Sequence, residues 1–155
     1  MADPDVLVVD ASVLAAVAFG EARADEGTAL LRGRRLVAPG LLWYEMSEVA
    51  RVKCVARPAE GQAILEQLEI TRRLSIVLQS PDWATLPQLA LDSGLTAYDA
   101  AYLSLAQSLR APLATFDRRL GDVARRAAGA LMAPDRDAGG RGAHVRGVSR
   151  SLPGL

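Results

Sequence analysis

Short apolar runs of strand length alternate along this chain with longer segments of helical periodicity. A continuous apolar run is typical of a strand buried on both faces, and alternation of such strands with helices favours a parallel sheet covered on both sides. The sequence therefore predicts an α/β fold, a three-layer α/β/α sandwich with a central parallel sheet. The runs predicted as strands are residues 5–9, 36–38, 75–78, 112–116 and 130–133.

Helices are predicted in the intervals between these strands, and several have recognisable end signals. Gly33 should end the second helix, Pro58 should begin the fourth, and Ser80 with Pro81 should cap and open the fifth. Gly94 should separate the fifth helix from the sixth. The predicted bounds are 12–19, 24–31, 41–56, 58–73, 81–92, 96–109 and 117–127.

Length and composition predict one folded domain over residues 1–134, followed by a disordered tail over residues 135–155, which is rich in Gly, Arg and Ser. No apolar run has membrane-spanning length, so we expect a cytoplasmic protein without a membrane partner. The single cysteine excludes an intrachain disulfide. Basic and acidic residues number 18 each, and this balance neither indicates nor excludes a nucleic-acid partner.

Four acidic residues lie in or directly after hydrophobic runs, where the pattern predicts burial: Asp10, Glu45, Asp99 and Asp117. A buried, unpaired carboxylate is costly, so it is normally protonated, paired with a base or bound to a cation. If the fold brings the four together, their mutual repulsion makes a hard divalent cation the natural partner. The pattern thus points to Mg²⁺ or Mn²⁺ and to phosphodiester chemistry.

Asp10 and Asp117 each follow a predicted strand. Ligands of open α/β sheets gather at the carboxyl ends of the strands, where both aspartates should lie. The alternative is that each aspartate only caps the helix after it, because Asp is a favoured N-cap residue. Ser12 lies two residues beyond Asp10 and could hydrogen-bond a carboxylate of the site or a metal-bound water.

Glu45 and Asp99 lie within predicted helices, beside apolar neighbours. Glu45 is too far inside its helix to be a cap, and the alternative to a site role is a salt bridge to a basic residue such as Arg51. Asp99 has a stronger alternative, since Thr96 and Asp99 match a capping box with Asp in place of Glu.

Other chemistries have less support in the sequence. There is no GxSxG, P-loop or GxGxxG motif, and cysteine and histidine are too few for a zinc site. The one histidine, His144, falls in the predicted tail. A carboxylate cluster that holds metal ions can activate water and stabilise both oxygens of a phosphodiester displacement.

Several segments together resemble PIN-domain proteins, specifically the VapC-type toxins of bacterial type II toxin–antitoxin systems. The resemblance extends over roughly residues 5–133, and such toxins generally stop near its end. It implies a PIN-like sandwich and a metal-dependent ribonuclease, usually dimeric, that a cognate VapB-like antitoxin holds inactive. The matching segments are VVDASVLAAV, LVAPGLLWYEMSEVAR, LTAYDAAYLSLAQSLRAPLATFDRRL and the final LMAP.

The resemblance also implies roles for individual residues. Asp10 and Asp99 match the usual ligands of Mg²⁺ or Mn²⁺, while Glu45 and Asp117 would complete the site and position water. Thr115 matches a Ser or Thr that stands two residues before the last acid and hydrogen-bonds the ligands.

The expected partners are RNA, the antitoxin and a second copy of the chain. Arg118 and Arg119 follow the last acid directly and are the predicted phosphate contacts; the alternative is that they belong to a solvated helix face. Ordinary core or dimer packing is an equal alternative for the aromatic and apolar residues that we consider for antitoxin binding. Those candidates are Trp43, Tyr44, Met46 and Trp83.

Three rival functions stay open at the level of sequence. A PIN nuclease of housekeeping RNA processing would differ by lacking a small antitoxin gene upstream. A catalytically silent binding module would not need the intact acidic quartet. A flavodoxin-like or receiver-like domain would need a switch lysine at a strand end, but the sole lysine, Lys53, lies mid-helix.

Overall fold

The structure is a computed structural model that describes residues 3–132. A single 3₁₀ turn, Pro58–Glu60, precedes the fourth helix. The strands are β1 (Val6–Val9), β2 (Arg35–Ala38), β3 (Ile76–Leu78) and β4 (Leu113–Ala114). The helices are α1 (Ala11–Ala18), α2 (Ala24–Leu31), α3 (Leu42–Ala56), α4 (Gly61–Thr71), α5 (Leu86–Ser93), α6 (Ala97–Leu109) and α7 (Arg118–Met132).

The four strands form one parallel sheet in the order β3–β2–β1–β4. Strand β1 is central and all four of its residues are buried, which explains its uninterrupted apolar sequence. In the register of the sheet, Val9 of β1 pairs with Ala114 of β4. The residues that follow these two strands, Asp10 and Thr115, therefore leave the sheet side by side.

Helices cover the sheet, and the predicted α/β/α sandwich is confirmed. Helix α6 packs against β1, β4, α5 and α7, and α1 packs against α2 and α3. Every residue from Ala100 to Ala106 of α6 is buried, as expected for a helix that is apolar on all sides.

The contact between α1 and α2 depends on a glycine. Gly27 is the buried residue of α2, and a Cβ added there would lie 2.7 Å from Cγ2 of Val17 and 3.4 Å from the carbonyl oxygen of Val13. The absence of a side chain lets the two helices approach closely.

The fifth helix begins later than predicted. Residues 81–85 form turns instead of a first helical turn, because the Asp82 carboxylate accepts a hydrogen bond from the Ala84 amide and its carbonyl accepts one from the Thr85 hydroxyl. At the other end the prediction is confirmed, since Gly94 has a left-handed φ of 66°.

The predicted fifth strand is wrong. Residues 130–132 belong to α7, which continues well past the predicted end at residue 127. The Ala- and Arg-rich stretch before them favours helix, and an apolar run of four residues does not by itself distinguish strand from helix. Residue 133, His144 and the predicted tail at 135–155 lie outside the described residues, so the domain boundary at 134 stays a prediction.

Within residues 3–132, none of the helices combines the length and the apolar character needed to cross a membrane.

Candidate active site

Asp10 lies at the centre of the candidate site, directly after β1. Its backbone amide donates to the carbonyl of Ala114 at 3.0 Å, which extends the β1–β4 ladder by one residue. Asp10 occupies the N-cap position of α1, yet its side chain makes no capping hydrogen bond. The capping alternative is therefore wrong for Asp10, a buried residue with only 5% of its surface exposed.

Two hydroxyl groups hold this carboxylate. Ser12 Oγ donates to Asp10 Oδ2 at 2.6 Å, and Thr115 Oγ1 donates to the same oxygen at 2.8 Å. The hydroxyls are fixed in turn, because Ser12 Oγ accepts from the Phe116 amide at 2.9 Å and Thr115 Oγ1 accepts from the Asp117 amide at 3.0 Å. Both side-chain bonds to Asp10 from the described residues end on Oδ2, so Oδ1 can face a cation.

Glu45 is half-buried on α3 and is held by a tyrosine. The Tyr102 hydroxyl donates to Glu45 Oε2 at 2.5 Å. The salt bridge considered for Glu45 is not formed, because Arg51 pairs with Glu48 at 2.7 Å. The buried stripe of α3 runs through Leu42, Met46 and Ala50, so Glu45 lies at its edge and not at its centre.

Asp99 and Asp117 combine a local structural role with proximity to the site. The Asp99 amide donates to Thr96 Oγ1 at 3.1 Å, so half of the predicted capping box is present. Asp117 Oδ1 accepts from the Leu120 amide at 2.8 Å and caps α7. Capping thus accounts for one oxygen of Asp117. The Asp99 carboxylate is partly buried, and burial together with the charges of Asp117 and Asp10 raises its pKa.

Electrostatic repulsion links the four carboxylates. Burial raises the pKa of Glu45 above its ordinary value, the charges of Asp10 and Asp99 raise it further, and the Tyr102 hydrogen bond opposes the change. Burial also raises the pKa of Asp99, as do the charges of Asp117 and Asp10, whereas Thr96 and Arg119 lower it. The fold has therefore gathered acids whose ionisation is mutually unfavourable.

Burial is also the main reason why the pKa of Tyr102 lies far above its usual range, followed by the hydrogen bond to Glu45. The tyrosine stays protonated and remains a hydrogen-bond donor. The sequence pattern did not single out Tyr102, which is one of the neighbours of Asp99 on the predicted sixth helix. The available signal was a tyrosine inside a fully apolar helix, since a buried hydroxyl needs a polar partner.

The donor set fits a hard divalent cation, although it does not form a closed cage. Among residues 3–132, no three His, Cys, Asp or Glu side chains converge closely enough to hold a metal ion between them. Mg²⁺ keeps several waters and takes one or two protein carboxylates, so a ready-made cage is not required. Oxygen donors with unfavourable mutual charge suit such a partly hydrated ion.

The residues proposed for contact with RNA or the antitoxin differ in how far they are exposed. Arg118 and Arg119 are both exposed in the first turn of α7. Met46 is fully buried, so its assignment to an antitoxin surface is wrong; it shares the core-facing stripe of α3. Tyr44 and Trp83 are 81% and 70% exposed, and the fourth candidate surface residue, Trp43, packs partly buried against the core.

The PIN domain family model matches residues 7–126. This match covers more than half of the chain, and the chain therefore belongs to the PIN domain family.

Within this family, the similar proteins are VapC ribonucleases, as the sequence resemblance implied. Ribonuclease VapC3 of Pyrobaculum aerophilum is 34% identical over 122 residues, which cover 75% of this chain and 92% of that protein. Ribonuclease VapC9 of Mycobacterium tuberculosis and VapC ribonuclease Mb0985 of Mycobacterium bovis are each 30% identical over 125 residues, covering 76% of this chain and 91% of each protein.

A solved structure supports the same fold. The crystal structure of PAE2754 from Pyrobaculum aerophilum matches with a TM-score of 0.65 at 25% identity, and the match covers 81% of this chain and 94% of that one.

Proposed function

We propose that the chain is a metal-dependent endoribonuclease that acts as the toxin of a type II toxin–antitoxin pair. The observation that carries this proposal is the buried Asp10 carboxylate, which is fixed by Ser12 and Thr115 at the carboxyl end of the central strand. Its neighbours Glu45 and Asp99 have raised pKa values, caused by burial and by mutual repulsion. The names of the related VapC ribonucleases support the same activity.

Asp10 and Asp99 are the residues that would hold Mg²⁺ or Mn²⁺. When bound, the ion would supply Lewis-acid polarisation of the phosphodiester and offset its negative charge. Ser12 and Thr115 orient Asp10, a task that hydrogen-bonding partners of metal ligands commonly perform.

Glu45 and Asp117 would position the attacking water. The raised pKa of Glu45 brings its proton affinity closer to that of a useful general base. The Tyr102 hydroxyl fixes the Glu45 carboxylate in one orientation. On the rim, Arg118 and Arg119 would contact substrate phosphates and reduce the repulsion between RNA and the acidic site.

Cleavage of total bacterial RNA by the purified protein tests this function. The reaction is run with Mg²⁺, with Mn²⁺ or with EDTA. The wild-type protein is compared with the variants Asp10→Asn and Asp99→Asn. The matched control is Asp25→Asn, which changes an exposed aspartate of α2. We expect discrete products that require the metal, that disappear in the first two variants and that persist in the control. A folded, metal-loaded protein that leaves every RNA in the pool intact would contradict the proposal and favour a silent binding module.

The toxin assignment needs a partner, and we propose a small VapB-like antitoxin together with homodimer formation. The exposed Tyr44 and Trp83 are available aromatic anchors for such contacts. Because the proposed substrate is cellular RNA, we propose that the protein acts in the cytoplasm. Growth arrest on expression that is relieved by the product of a small upstream gene would support the toxin role; cleavage without arrest would favour housekeeping RNA processing.

A further inference from the structure

A cleft of about 420 Å³ opens beside the hydrogen-bond network of Asp10. Ser12 lines this cleft and joins it to the site through its bond to Asp10. The other lining residues are apolar or charged, and the charged pair is Arg23 and Glu21, of which Glu21 is bound to Lys53 at 2.6 Å. The apolar lining residues are Ala15, Ala22, Val49 and Phe116. A volume of this size, with mostly apolar walls and a few polar groups, is typical of a site for a small molecule or one chemical group of a larger ligand.

Arg23 has an unusual arrangement at this cleft. Its guanidinium carbon lies 3.7 Å from the centroid of the Phe116 ring, so one planar face stacks on the aromatic side chain. Its Nε and Nη2 donate to the two carboxylate oxygens of Glu26 at 2.8 and 2.7 Å. Half of the Arg23 side chain is still exposed.

These contacts restrict what Arg23 can bind. Glu26 occupies the edge formed by Nε and Nη2 and offsets the positive charge, so a phosphate could make a bidentate contact only through the remaining Nη1 and Nη2 edge. Because one face packs on Phe116 while half of the Arg23 side chain is exposed, we infer that the opposite face of the guanidinium is accessible. A flat group can stack there, and single-stranded RNA is commonly bound by stacking of its bases on aromatic rings and arginine planes.

We propose that this cleft binds an unpaired RNA base next to the scissile phosphate, with Arg23 stacked between that base and Phe116. The inference rests on the proposed ribonuclease function and adds a base-binding subsite to it. Phe116 directly follows Thr115, so the stack is covalently tied to the residue that orients Asp10.

The test uses RNA hexanucleotides that carry one 2-aminopurine, placed at each position in turn, and it is done in EDTA so that binding is measured without cleavage. Fluorescence quenching reports stacking of that base, and anisotropy reports affinity. We expect quenching at one position, which Arg23→Lys and Phe116→Leu abolish. Each variant should also weaken binding by about five- to tenfold, the loss expected for one stacked base.

The matched control is Arg51→Ala, because Arg51 makes the same two-bond contact with Glu48 at 2.8 and 2.7 Å. Arg23→Lys keeps the charge and removes the plane, and it remains informative if thermal melting shows that Phe116→Leu is unfolded. Quenching that persists in Arg23→Lys, or an equal loss in Arg51→Ala, overturns the stacking inference. If either result occurs while the wild-type protein still cleaves RNA, only the stacking proposal fails and the ribonuclease function stands. If the wild-type protein neither binds RNA nor cleaves it in the presence of metal, the stacking proposal and the ribonuclease function both fail.

Discussion

The hydroxyl of Tyr102 on α6 donates a 2.5 Å hydrogen bond to Oε2 of Glu45 on α3, across a separation of 57 residues. This bond fixes the orientation of a half-buried carboxylate and keeps the pKa of Glu45 lower than burial alone would set it. It also gives the fully buried Tyr102 the polar partner that its hydroxyl requires.

Tyr102→Phe removes this donor. The pKa of Glu45 should rise further, and the acid limb of the pH–rate profile for RNA cleavage should move to higher pH. The free energy of unfolding should fall by about 1 kcal/mol, because a partly exposed carboxylate regains some water in exchange for the lost bond. Tyr98→Phe is the control, since Tyr98 is 69% exposed; an unchanged acid limb in Tyr102→Phe would argue against a catalytic charge on Glu45.

Thr115→Val removes the hydroxyl that orients Asp10 while preserving the shape of the side chain. We expect the free energy of unfolding to fall by about 1.5–3 kcal/mol, the usual value of a hydrogen bond to a charged group. Affinity for Mn²⁺, measured by calorimetry, should fall by about 10- to 100-fold. Thr115→Ser should retain both properties.

Thr28→Val is a suitable control for that experiment, because the Thr28 hydroxyl bonds only locally, to the Ala24 carbonyl at 2.9 Å. Equal Mn²⁺ affinity in Thr115→Val and wild type would remove Thr115 from the set of residues that prepare the site.

Asp99→Asn should stabilise the protein in EDTA at neutral pH. The pKa of Asp99 is raised in the folded state, chiefly by burial, so the folded protein binds this proton more tightly than the unfolded chain does. The resulting stability is complete below the unfolded pKa and is lost as the pH rises through the folded one. The melting temperature of Asp99→Asn should therefore exceed that of wild type at pH 7, and the two should converge below about pH 4.

Glu48→Gln is the control, because the pKa of Glu48 is shifted in the opposite direction: the hydrogen bond from Arg51 lowers it. The melting temperature of Glu48→Gln should not exceed that of wild type at neutral pH. Excess Mg²⁺ should raise the melting temperature of wild type more than that of Asp99→Asn, and the reverse order would argue against a metal-ligand role for Asp99.

Gly27→Ala should destabilise the protein by about 1–3 kcal/mol, because the new Cβ would overlap with Cγ2 of Val17 at the α1–α2 contact. Replacing Val17 with Ala in the same chain should recover part of this loss. Gly129→Ala, in α7, has open space around the added Cβ and should stabilise its helix by up to about 1 kcal/mol. Chemical denaturation measures the free energy of unfolding of all three variants. If the effects of Gly27→Ala and Val17→Ala are strictly additive, the proposed overlap is contradicted.

Charge reversal at Arg118 and Arg119 should raise the KM for RNA and reduce the salt dependence of binding. The slope of log affinity against log salt concentration should become shallower by about 1 to 2 for one or two lost phosphate contacts. Reversal of Arg72 and Arg73, an adjacent exposed pair at the end of α4, is the matched control. Identical slopes in both double variants would reject a specific phosphate role for the α7 pair.

Much of the fold could be predicted from local sequence pattern. Strand β1 was identified because its residues are buried on both faces and therefore all apolar, and α2 was placed at its observed bounds. The errors occurred where pattern is weak. Residues 130–132 extend α7 although their apolar run suggested a strand, and Asp82 delays α5 through turn hydrogen bonds that periodicity does not encode.

The candidate site divides in the same way. The four carboxylates were found because charged residues stand out in apolar runs, and their positions in the fold agree with a shared region of negative potential. The contacts that organise the region depend on long-range packing. Neither the Tyr102–Glu45 bond nor the stack of Arg23 on Phe116 follows from the spacing of these residues along the chain.

The bond from Thr115 to Asp10 joins residues separated by 105 positions, and this separation affects the order in which the protein becomes complete during synthesis. The first strand, Asp10 and its nearby hydroxyl partner Ser12 leave the ribosome early, but Asp10 gains its second hydroxyl partner, Thr115, only after β4 has been made and has paired with β1. A product of premature termination that ends before β4 lacks both Thr115 and Asp117. If the proposed site roles are right, such an incomplete chain lacks a residue that orients Asp10 and one that positions water, so we expect nuclease activity only from chains synthesised past β4.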